Sequence, residues 1–462
     1  GITVSPRVGF TWDVLGDKTL KLRGGSGLFM GRSPLVFFTN MPTNSGMVQY
    51  QAQLSAKKNV DMSQFAGGLV VNSEGRPTID ALRSKLIAMG YPENISPDKG
   101  TLPATISAVS PDFKMPQVWK TTLAVDYKLP VSFPMQVTVE GIFDKNVNAA
   151  CISDWSIPSA GGFARFNGAD NRPIYPAGFR NNLAAFVLEN THKGYFWSAN
   201  LMVTARPAEW INLMASYTHQ VRKEITGMPG SNAESAFTYV PTSEGPNHIK
   251  LHNSQYLTPD RFVASMQIND KCNNHYSFIY ETWRGGYNYS YMTVNDMNGD
   301  GYNYDAIYVP TDAEVESGAF RFVSQDDQDR FMGFLHNNKS LSKYQGKYAE
   351  GYSVYNPWVH RVDFSYKHDF KLNIGSTKHT LQLGIDIKNL LNLFNSSWGV
   401  SKTLNSAIGS DARILKYEGV DAQGIATFST PSAINADTKL FTPLHALGQC
   451  WNMGITVKYI FN

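Results

Sequence analysis

Apolar and polar residues alternate with a period of two in many separate segments of the chain. The last segment shows the pattern most clearly, because every second side chain is apolar and the series ends in aromatic residues: Trp451, Met453, Ile455, Val457, Tyr459 and Phe461. Successive side chains of a strand point to opposite faces. The alternation therefore predicts a strand with one apolar face and one face of mostly small or polar residues.

Thirteen strands of this kind are predicted along the chain. Their approximate bounds are 4–14, 18–30, 116–128, 135–148, 195–206, 209–222, 260–270, 275–285, 357–370, 377–393, 411–420, 425–430 and 447–461. Short turns alternate with long loops, which cover about 31–115, 149–194, 223–259, 286–356, 394–410 and 431–446. Two loops also carry helix signals: Thr78 is placed to cap a helix over Ile79–Met89, and Ser324 to cap one over Gln325–His336.

These features favour a membrane barrel over a soluble sandwich. Most predicted strands are long enough to cross the hydrocarbon region when tilted, and Trp and Tyr recur near strand ends. Short turns at one end and long loops at the other are typical of outer-membrane barrels. The predicted fold class is all-β, a transmembrane antiparallel β-barrel with long extracellular loops. We expect lipid to face Val125, Leu201, Leu383 and Val457, and the lumen to face Lys120, Arg206, Arg361 and Lys458.

The strand number bears on how much of a barrel these 462 residues supply. Bacterial barrels normally have an even number of strands, because both chain ends lie in the periplasm. Thirteen strands would leave at least one strand upstream of Gly1. We therefore expect residues 1–462 to be part of a larger barrel, in which Gln449–Phe461 and Val4–Val14 each pair with a strand outside this chain.

Composition agrees with strands and excludes some partners. Aromatic residues make up 13% of the chain and charged residues 17%, a balance that suits half-buried pleated surfaces. A formal net charge of +3 gives no electrostatic case for nucleic acid. The chain contains no run of 18 apolar residues, so no transmembrane helix is predicted. Cys151, Cys272 and Cys450 have no metal or redox spacing, so we expect free thiols.

The sharpest local motif is the segment Asp296-Met297-Asn298-Gly299-Asp300-Gly301-Tyr302-Asn303-Tyr304-Asp305, called here the 296–305 turn. Its oxygen-bearing side chains at positions 1, 3 and 5, with Gly at position 6, match the front half of a calcium loop. The predicted ligands are Asp296, Asn298, Asp300, the carbonyl of Tyr302, and Asp305 in place of the usual Glu. The alternative is a polar external turn without an ion.

No comparable set of catalytic residues is found, so the chain is not expected to be an enzyme. Gly24-Gly25-Ser26-Gly27 lacks the final glycine of a GxSxG motif, and the histidines show no HExxH spacing. His360 and His368 fall on apolar faces near strand ends, where packing or interfacial roles are expected. Asp326, Asp327 and Asp329 are interpreted as a solvated helix start.

Loop aromatic residues are candidates for stacking on sugars or peptides, or for packing within the loops: Trp283, Tyr287, Tyr289, Tyr291, Tyr302 and Tyr304.

Several blocks resemble a known family. They are Ser5–Asp13 (SPRVGFTWD) with Lys21–Phe29 (KLRGGSGLF), Asp386–Asn395 (DIKNLLNLFN), the ending Gly454–Asn462 (GITVKYIFN), and the 296–305 turn with the following Ala306–Pro310. Together they are similar to the TonB-dependent outer-membrane receptors, in particular the Oar-like and SusC-like branch. The last residue is Asn462 rather than the usual terminal aromatic, which stands one place earlier at Phe461.

The resemblance implies a barrel of about twenty-two strands with an N-terminal plug. This chain would then be the C-terminal portion of the barrel, with the plug and the first strands lying upstream of it. Its implied partners are membrane lipid and lipopolysaccharide, the TonB complex through the plug, the barrel-assembly machinery through the final strand, and a surface lipoprotein.

Three functions remain open from the sequence. The favoured one is TonB-dependent import of a nutrient such as an oligosaccharide, a peptide or a chelate across the outer membrane of a Gram-negative bacterium. The second is a non-transporting surface protein, an adhesin or scaffold built on the same barrel. The third is a soluble calcium-dependent β-sandwich that binds carbohydrate.

Overall fold

One long antiparallel sheet organises the chain. The computed structural model describes residues 4–32, 35–43, 45, 61, 63, 72–76, 78–94, 105–158, 162–179 and 184–461. Within these residues, eleven strands follow one another across the sheet in sequence order. The strands are Arg7–Asp13, Leu20–Met30, Gln117–Lys128, Met135–Asp154, Tyr195–Ala208, Ile211–Glu224, Asp260–Asn269, Asn274–Arg284, Val359–Ile374, Thr377–Lys388 and Asn452–Phe461. Each overlaps a predicted strand.

The cross-strand register separates the two faces of the long sheet. Val139 lies opposite both Val125 and Leu201, and Leu383 lies opposite Val457. Continued across the sheet, the register places the four residues expected to face lipid on one side and Lys120, Arg361 and Lys458 on the other. The apolar side is the exposed one: Leu201 is 47% and Val457 67% exposed. A soluble sandwich would bury this face, so its exposure argues against the third function.

The opposite face of the long sheet is polar and contains ion pairs. The Nε atom of Arg23 lies 3.0 Å from Asp126 on the neighbouring strand, and its Nη2 atom lies 3.1 Å from Glu140 one strand further. Arg206 belongs to this face by its position in the strand. It lies within the register shift between Ala205 and Ala208 and donates a hydrogen bond to the carbonyl of Glu209. We call this side the inner face.

Two of the thirteen predicted strands do not belong to the long sheet. Ala412–Val420 and Ala426–Ser429 do pair with each other, but they form a separate sheet with two short loop strands. The membrane assignment of 411–420 and 425–430 was therefore wrong. Ile414 and Leu415 are consecutive and both buried, which no membrane strand with one polar face would show. Ala426–Ser429 is also much shorter than the roughly nine to eleven residues needed to cross a bilayer.

The long connections meet at one end of the sheet and form a packed loop layer, made of the described residues within 31–116, 155–194, 225–259, 285–358 and 389–451. The larger of its two apolar clusters is centred on Tyr291, Phe331, Leu335 and Ile414. The second cluster surrounds Phe186 and Phe237. The hydrophobic core of the described chain is thus in its loops, whereas the long sheet exposes its apolar side.

Short elements build the loop layer. Its strands are Thr105–Val109, Ala184–Thr191, His252–Asn253, Tyr291–Thr293, Tyr308–Val309, Arg321–Phe322, Lys347–Tyr348, Lys402–Leu404, Ala412–Val420, Ala426–Ser429 and Phe441–Pro443. Its helices are Leu35–Thr43, Ile79–Ala88, Ala233–Thr238, Asp312–Glu316, Gln325–Asn337, Lys339–Ser342 and Leu390–Phe394, with 3-10 turns at Ser406–Ile408 and Leu447–Gln449. None of the helices in the described ranges is both long and apolar enough to span a membrane.

Both predicted loop helices are confirmed with their caps. Thr78 accepts a hydrogen bond from the N–H of Ala81, and Ser324 accepts one from the N–H of Asp327. Asp327 itself is buried, contrary to the expectation of a solvated helix start. Its carboxylate accepts hydrogen bonds from the Thr430 N–H at 2.7 Å and from Arg330 at 2.8 Å. Asp327 therefore joins this helix to the segment that follows Ala426–Ser429.

The strand predicted at 377–393 ends at Lys388. Asn389 has a φ of 53°, which breaks the strand and starts the helix Leu390–Phe394. Its side-chain amide donates to the carbonyl of Gln449 at 2.8 Å, and Asn392 accepts a hydrogen bond from the Trp451 N–H at 3.1 Å. These contacts fix the approach to the final strand, so that strand begins at Asn452 rather than at the predicted 447.

The two edges of the long sheet are Arg7–Asp13 and Asn452–Phe461. In the described residues they are not hydrogen-bonded to each other. The expected pairing of each edge with a strand outside residues 1–462 stays a prediction.

Candidate functional site

The 296–305 turn folds its side chains inward, in the manner that its spacing predicts. Asp296 accepts hydrogen bonds from the N–H groups of Gly299 at 2.9 Å and Gly301 at 2.8 Å. Asn298 accepts from the Asp300 N–H at 3.1 Å, and Asp300 from the Tyr302 N–H at 2.9 Å. Gly299 and Gly301 have φ values of 76° and 88°, a region that side chains other than glycine rarely adopt.

Asp300 is the most unusual residue of the turn. It is fully buried, and its Oδ2 atom has no hydrogen-bond partner. Burial, reinforced by the nearby carboxylates of Asp305 and Asp296, raises the pKa of Asp300 to about 8. Burial also raises the pKa of Asp305, to about 6, although Arg172 opposes that shift. A carboxylate in this position needs either a proton or a cation.

Asp305 is held by protein groups. Its Oδ1 accepts from Arg172 at 2.9 Å, and its Oδ2 accepts from the Met297 N–H at 2.9 Å. Arg172 also donates to both oxygens of Asp170, at 3.0 and 2.9 Å, and to the carbonyl of Ala306 at 2.7 Å. Its guanidinium lies 5.2 Å from the ring centre of Tyr348. We call these groups the Arg172 hub.

Tyr348 completes the hub from a third part of the chain. Burial raises the pKa of its hydroxyl, which stays protonated and donates to Asp170 at 2.8 Å. The hub therefore joins segments that lie more than a hundred residues apart in the sequence. Sequence reasoning missed Arg172, Asp170 and Tyr348, because none of them stands in a motif and their contacts are all formed by tertiary packing.

A cavity of about 660 Å³ opens on the inner face where the long sheet meets the loop layer. We call it the vestibule. Its lining combines aromatic rings with charged side chains: Phe196, Tyr256 and Trp283, with Arg222, Glu224, Arg261 and Glu281. Arg261 pairs with Glu281 at 2.7 Å, and the Arg361 guanidinium lies 5.4 Å from the centre of the Trp283 ring. A second cavity, of about 790 Å³, lies on the inner face at the short-turn end, around Gln136 and Arg206.

Comparison with models of protein families identifies the family of this chain. The model of the family described as "Outer membrane beta barrel domain" matches residues 2–412. The chain belongs to this family. It is therefore a protein of the outer membrane, and the exposed apolar face of its long sheet is the face that suits lipid.

Two further comparisons complete the picture of this barrel domain. A search of curated proteins found no match. Among solved structures, the chain is similar to the outer membrane transporter YddB from Escherichia coli, with 10% sequence identity and a TM-score of 0.45. That match covers 99% of this chain and 41% of the YddB chain, so the barrel domain spans less than half the length of the solved protein.

Some of the remaining candidate residues are packed inside the protein, and others are exposed. Tyr289 and Tyr291 belong to the core of the loop layer, whereas Trp283 faces the vestibule and Tyr287 is 43% exposed. Tyr302 packs edge-on against Phe237. The three cysteines form no disulfide, as expected. His360 stacks on Tyr280, and His368 contacts the ring of Phe370, which fits the packing roles predicted for both.

No cluster of three His, Cys, Asp or Glu side chains within the described ranges has the geometry of a metal site. The set predicted for the 296–305 turn includes three carboxylates, and the structure does not gather those of Asp296, Asp300 and Asp305 into such a cluster. Its assignment as a calcium site stays a prediction.

Proposed function

We propose that the protein imports a nutrient across the outer membrane, and that the substrate is first held in the vestibule. Energy would come from TonB through a plug domain, as in the receptors that the sequence blocks resemble. The barrel domain would supply the wall of the passage, the external loops and the first binding surface.

The observation that carries this proposal is the polarity of the inner face. Ion pairs such as Arg23 with Asp126 and Arg261 with Glu281 line it, and cavities open on it near both ends. A barrel that only anchors surface loops needs an apolar surface toward lipid, but it does not require a polar lumen with cavities. A passage for water-soluble molecules needs both the apolar outer surface and the polar lumen.

The vestibule also suggests what kind of molecule is bound. Aromatic rings such as Trp283 stack on apolar faces of sugar rings or on peptide side chains, and the paired charges around them form hydrogen bonds to polar groups. An oligosaccharide or a short peptide fits this lining better than an extended apolar ligand.

The proposal is tested by uptake in the native bacterium. Cells carrying the wild-type protein or Trp283→Ala are given panels of fluorescent oligosaccharides and peptides, with and without an uncoupler of the proton gradient. We expect at least one probe to accumulate in a protease-protected form only in energised cells. Trp283→Ala is expected to reduce its uptake roughly tenfold, and Trp283→Phe to restore most of it.

The adhesin or scaffold hypothesis predicts a different result. Probes would then bind to the cell surface to the same extent with or without the uncoupler, and external protease would release them. That outcome, or equal uptake by cells lacking the protein, would overturn the transport proposal.

A further inference from the structure

The 296–305 turn contains a buried carboxyl group, that of Asp300, with one oxygen that has no hydrogen-bond partner among the described residues. We propose that this turn binds one calcium ion through the side-chain oxygens of Asp296, Asn298 and Asp300, and that the ion fixes the turn within the loop layer. This inference does not depend on the proposed transport function.

The first step of the argument is the position of Asp300. Its side chain is 0% exposed. One carboxylate oxygen accepts the Tyr302 N–H, while Oδ2 is buried without a hydrogen bond. Buried polar atoms are nearly always paired, and a buried carboxylate left alone is strongly unfavourable. The position therefore indicates a partner that is not a protein group.

The charges around Asp300 give the sign of that partner. The carboxylates of Asp305 and Asp296 both repel the carboxylate of Asp300. The buried guanidinium of Arg172 is occupied by Asp170 and Asp305. Among the described residues, none of the ion pairs includes Asp300. The excess of buried negative charge calls for a cation.

The chemistry of the donors selects calcium among cations. Every donor is a side-chain oxygen of a carboxylate or an amide, and these are ligands of hard cations. Spacing at positions 1, 3 and 5, with Gly301 at position 6, is that of a calcium loop. Asp305, unlike Asp296, is already paired with a cation, the buried guanidinium of Arg172, at 2.9 Å. We therefore assign it a positioning role, in which it holds Arg172 and adds negative charge near the ion.

An ion in this turn would stabilise more than the turn itself. The carbonyl of Asn298 accepts a hydrogen bond from the Tyr175 N–H at 2.8 Å, and Asp305 is bound to Arg172. Both partners lie in the segment 162–179, from a different long loop. The ion would thus hold two loops of the layer together.

The test uses the full-length protein purified from outer membranes in detergent and stripped with EDTA. Calcium chloride is titrated by calorimetry into the wild type and Asp300→Asn, which keeps the acceptor for the Tyr302 N–H but removes the charge. We expect one site per chain with a dissociation constant of about 10⁻⁴–10⁻³ M, weakened roughly tenfold or more in Asp300→Asn. Asp437→Asn, an exposed loop substitution, is the matched control and should bind as the wild type does.

Lipopolysaccharide also binds calcium, so the difference between variants decides the result. Equal calcium binding by wild type and Asp300→Asn would overturn the proposal, as would no binding at millimolar calcium. If Asp300→Asn does not fold, Asn298→Asp provides the second test. Its added ligand charge should tighten calcium binding, and an unchanged or weaker affinity would contradict the assignment.

Discussion

Arg172 shows how one residue can hold distant loops together. Its fully buried guanidinium pairs with both Asp170 and Asp305 and lies 5.2 Å from the ring centre of Tyr348. A buried cation is unfavourable by itself, but here its donors are matched to carboxylates and a carbonyl. Removing one partner of such a network leaves the others buried and unpaired, which costs more than the pair contributes.

We therefore expect Arg172→Met to destabilise the loop layer by about 3–5 kcal/mol while leaving the long sheet folded. Limited proteolysis of the protein in detergent, with the cleavage rate within 162–179 and 296–306 as the readout, measures the effect. Arg76→Met is the control, because the side chain of Arg76 is 79% exposed. Equal cleavage rates in the two variants would show that the hub does not stabilise these loops.

The residue scale also shows where sequence reasoning stops. The oxygen spacing of the 296–305 turn is local, so its inward fold could be predicted. Asp305 was expected to bind the ion, but its partner Arg172 lies 133 residues away. No local sequence pattern predicts such a contact, because it forms only when two long loops pack together.

At the scale of elements, the sequence block Asp386–Asn395 acquires a structural role. Asn389 ends one membrane strand, and Asn389 and Asn392 hold the approach to the next. Asn392 donates to the carbonyls of Ser396 and Trp398, both at 2.9 Å, and accepts the N–H of Trp451. The final strand, Asn452–Phe461, is therefore positioned by side chains of the preceding connection.

Asn392→Ala should impair the formation of this strand. The substitution removes three hydrogen bonds between the Asn392 side chain and the backbone, each of which contributes about 0.5–1.5 kcal/mol. We expect a smaller folded fraction after expression, measured by the shift in gel mobility between heated and unheated samples. Asn395→Ala is the control, since its exposed side chain caps only Ser397. If both variants fold to the same extent, Asn392 does not position the final strand.

Elements were predictable where their signal is local. Period-two alternation located all eleven strands of the long sheet, and capping residues located two helices. The same alternation misplaced Ala412–Val420 and Ala426–Ser429, which pair in the loop layer. A short strand in a packed loop core resembles part of a membrane strand in sequence, and only its tertiary surroundings distinguish them.

At the scale of the whole molecule, the two faces of the long sheet differ in whether they tolerate charged side chains. Leu201 lies near the middle of the strand Tyr195–Ala208 on the exposed apolar face, and Met202 points to the inner face. An arginine facing lipid near the bilayer midplane costs about 2–4 kcal/mol, whereas the lumen accepts charges.

Leu201→Arg is therefore expected to lower the stability of the protein in lipid bilayers by about 2–4 kcal/mol. Met202→Arg, one residue further along the same strand, should have a much smaller effect. Urea titration of the protein reconstituted in liposomes gives both free energies of unfolding. A larger loss for Met202→Arg than for Leu201→Arg would mean that the faces are assigned the wrong way round.

The most direct test of the barrel assignment measures which side chains contact lipid. Nitroxide labels are attached to Leu201→Cys and Met202→Cys in a background where Cys151, Cys272 and Cys450 are replaced by Ser. Collisions with oxygen, which concentrates in lipid, and with a water-soluble nickel complex are then recorded in bilayers. The membrane assignment predicts that the label at 201 collides mainly with oxygen and the label at 202 mainly with nickel. Equal exposure of both labels to nickel would contradict a lipid-facing sheet.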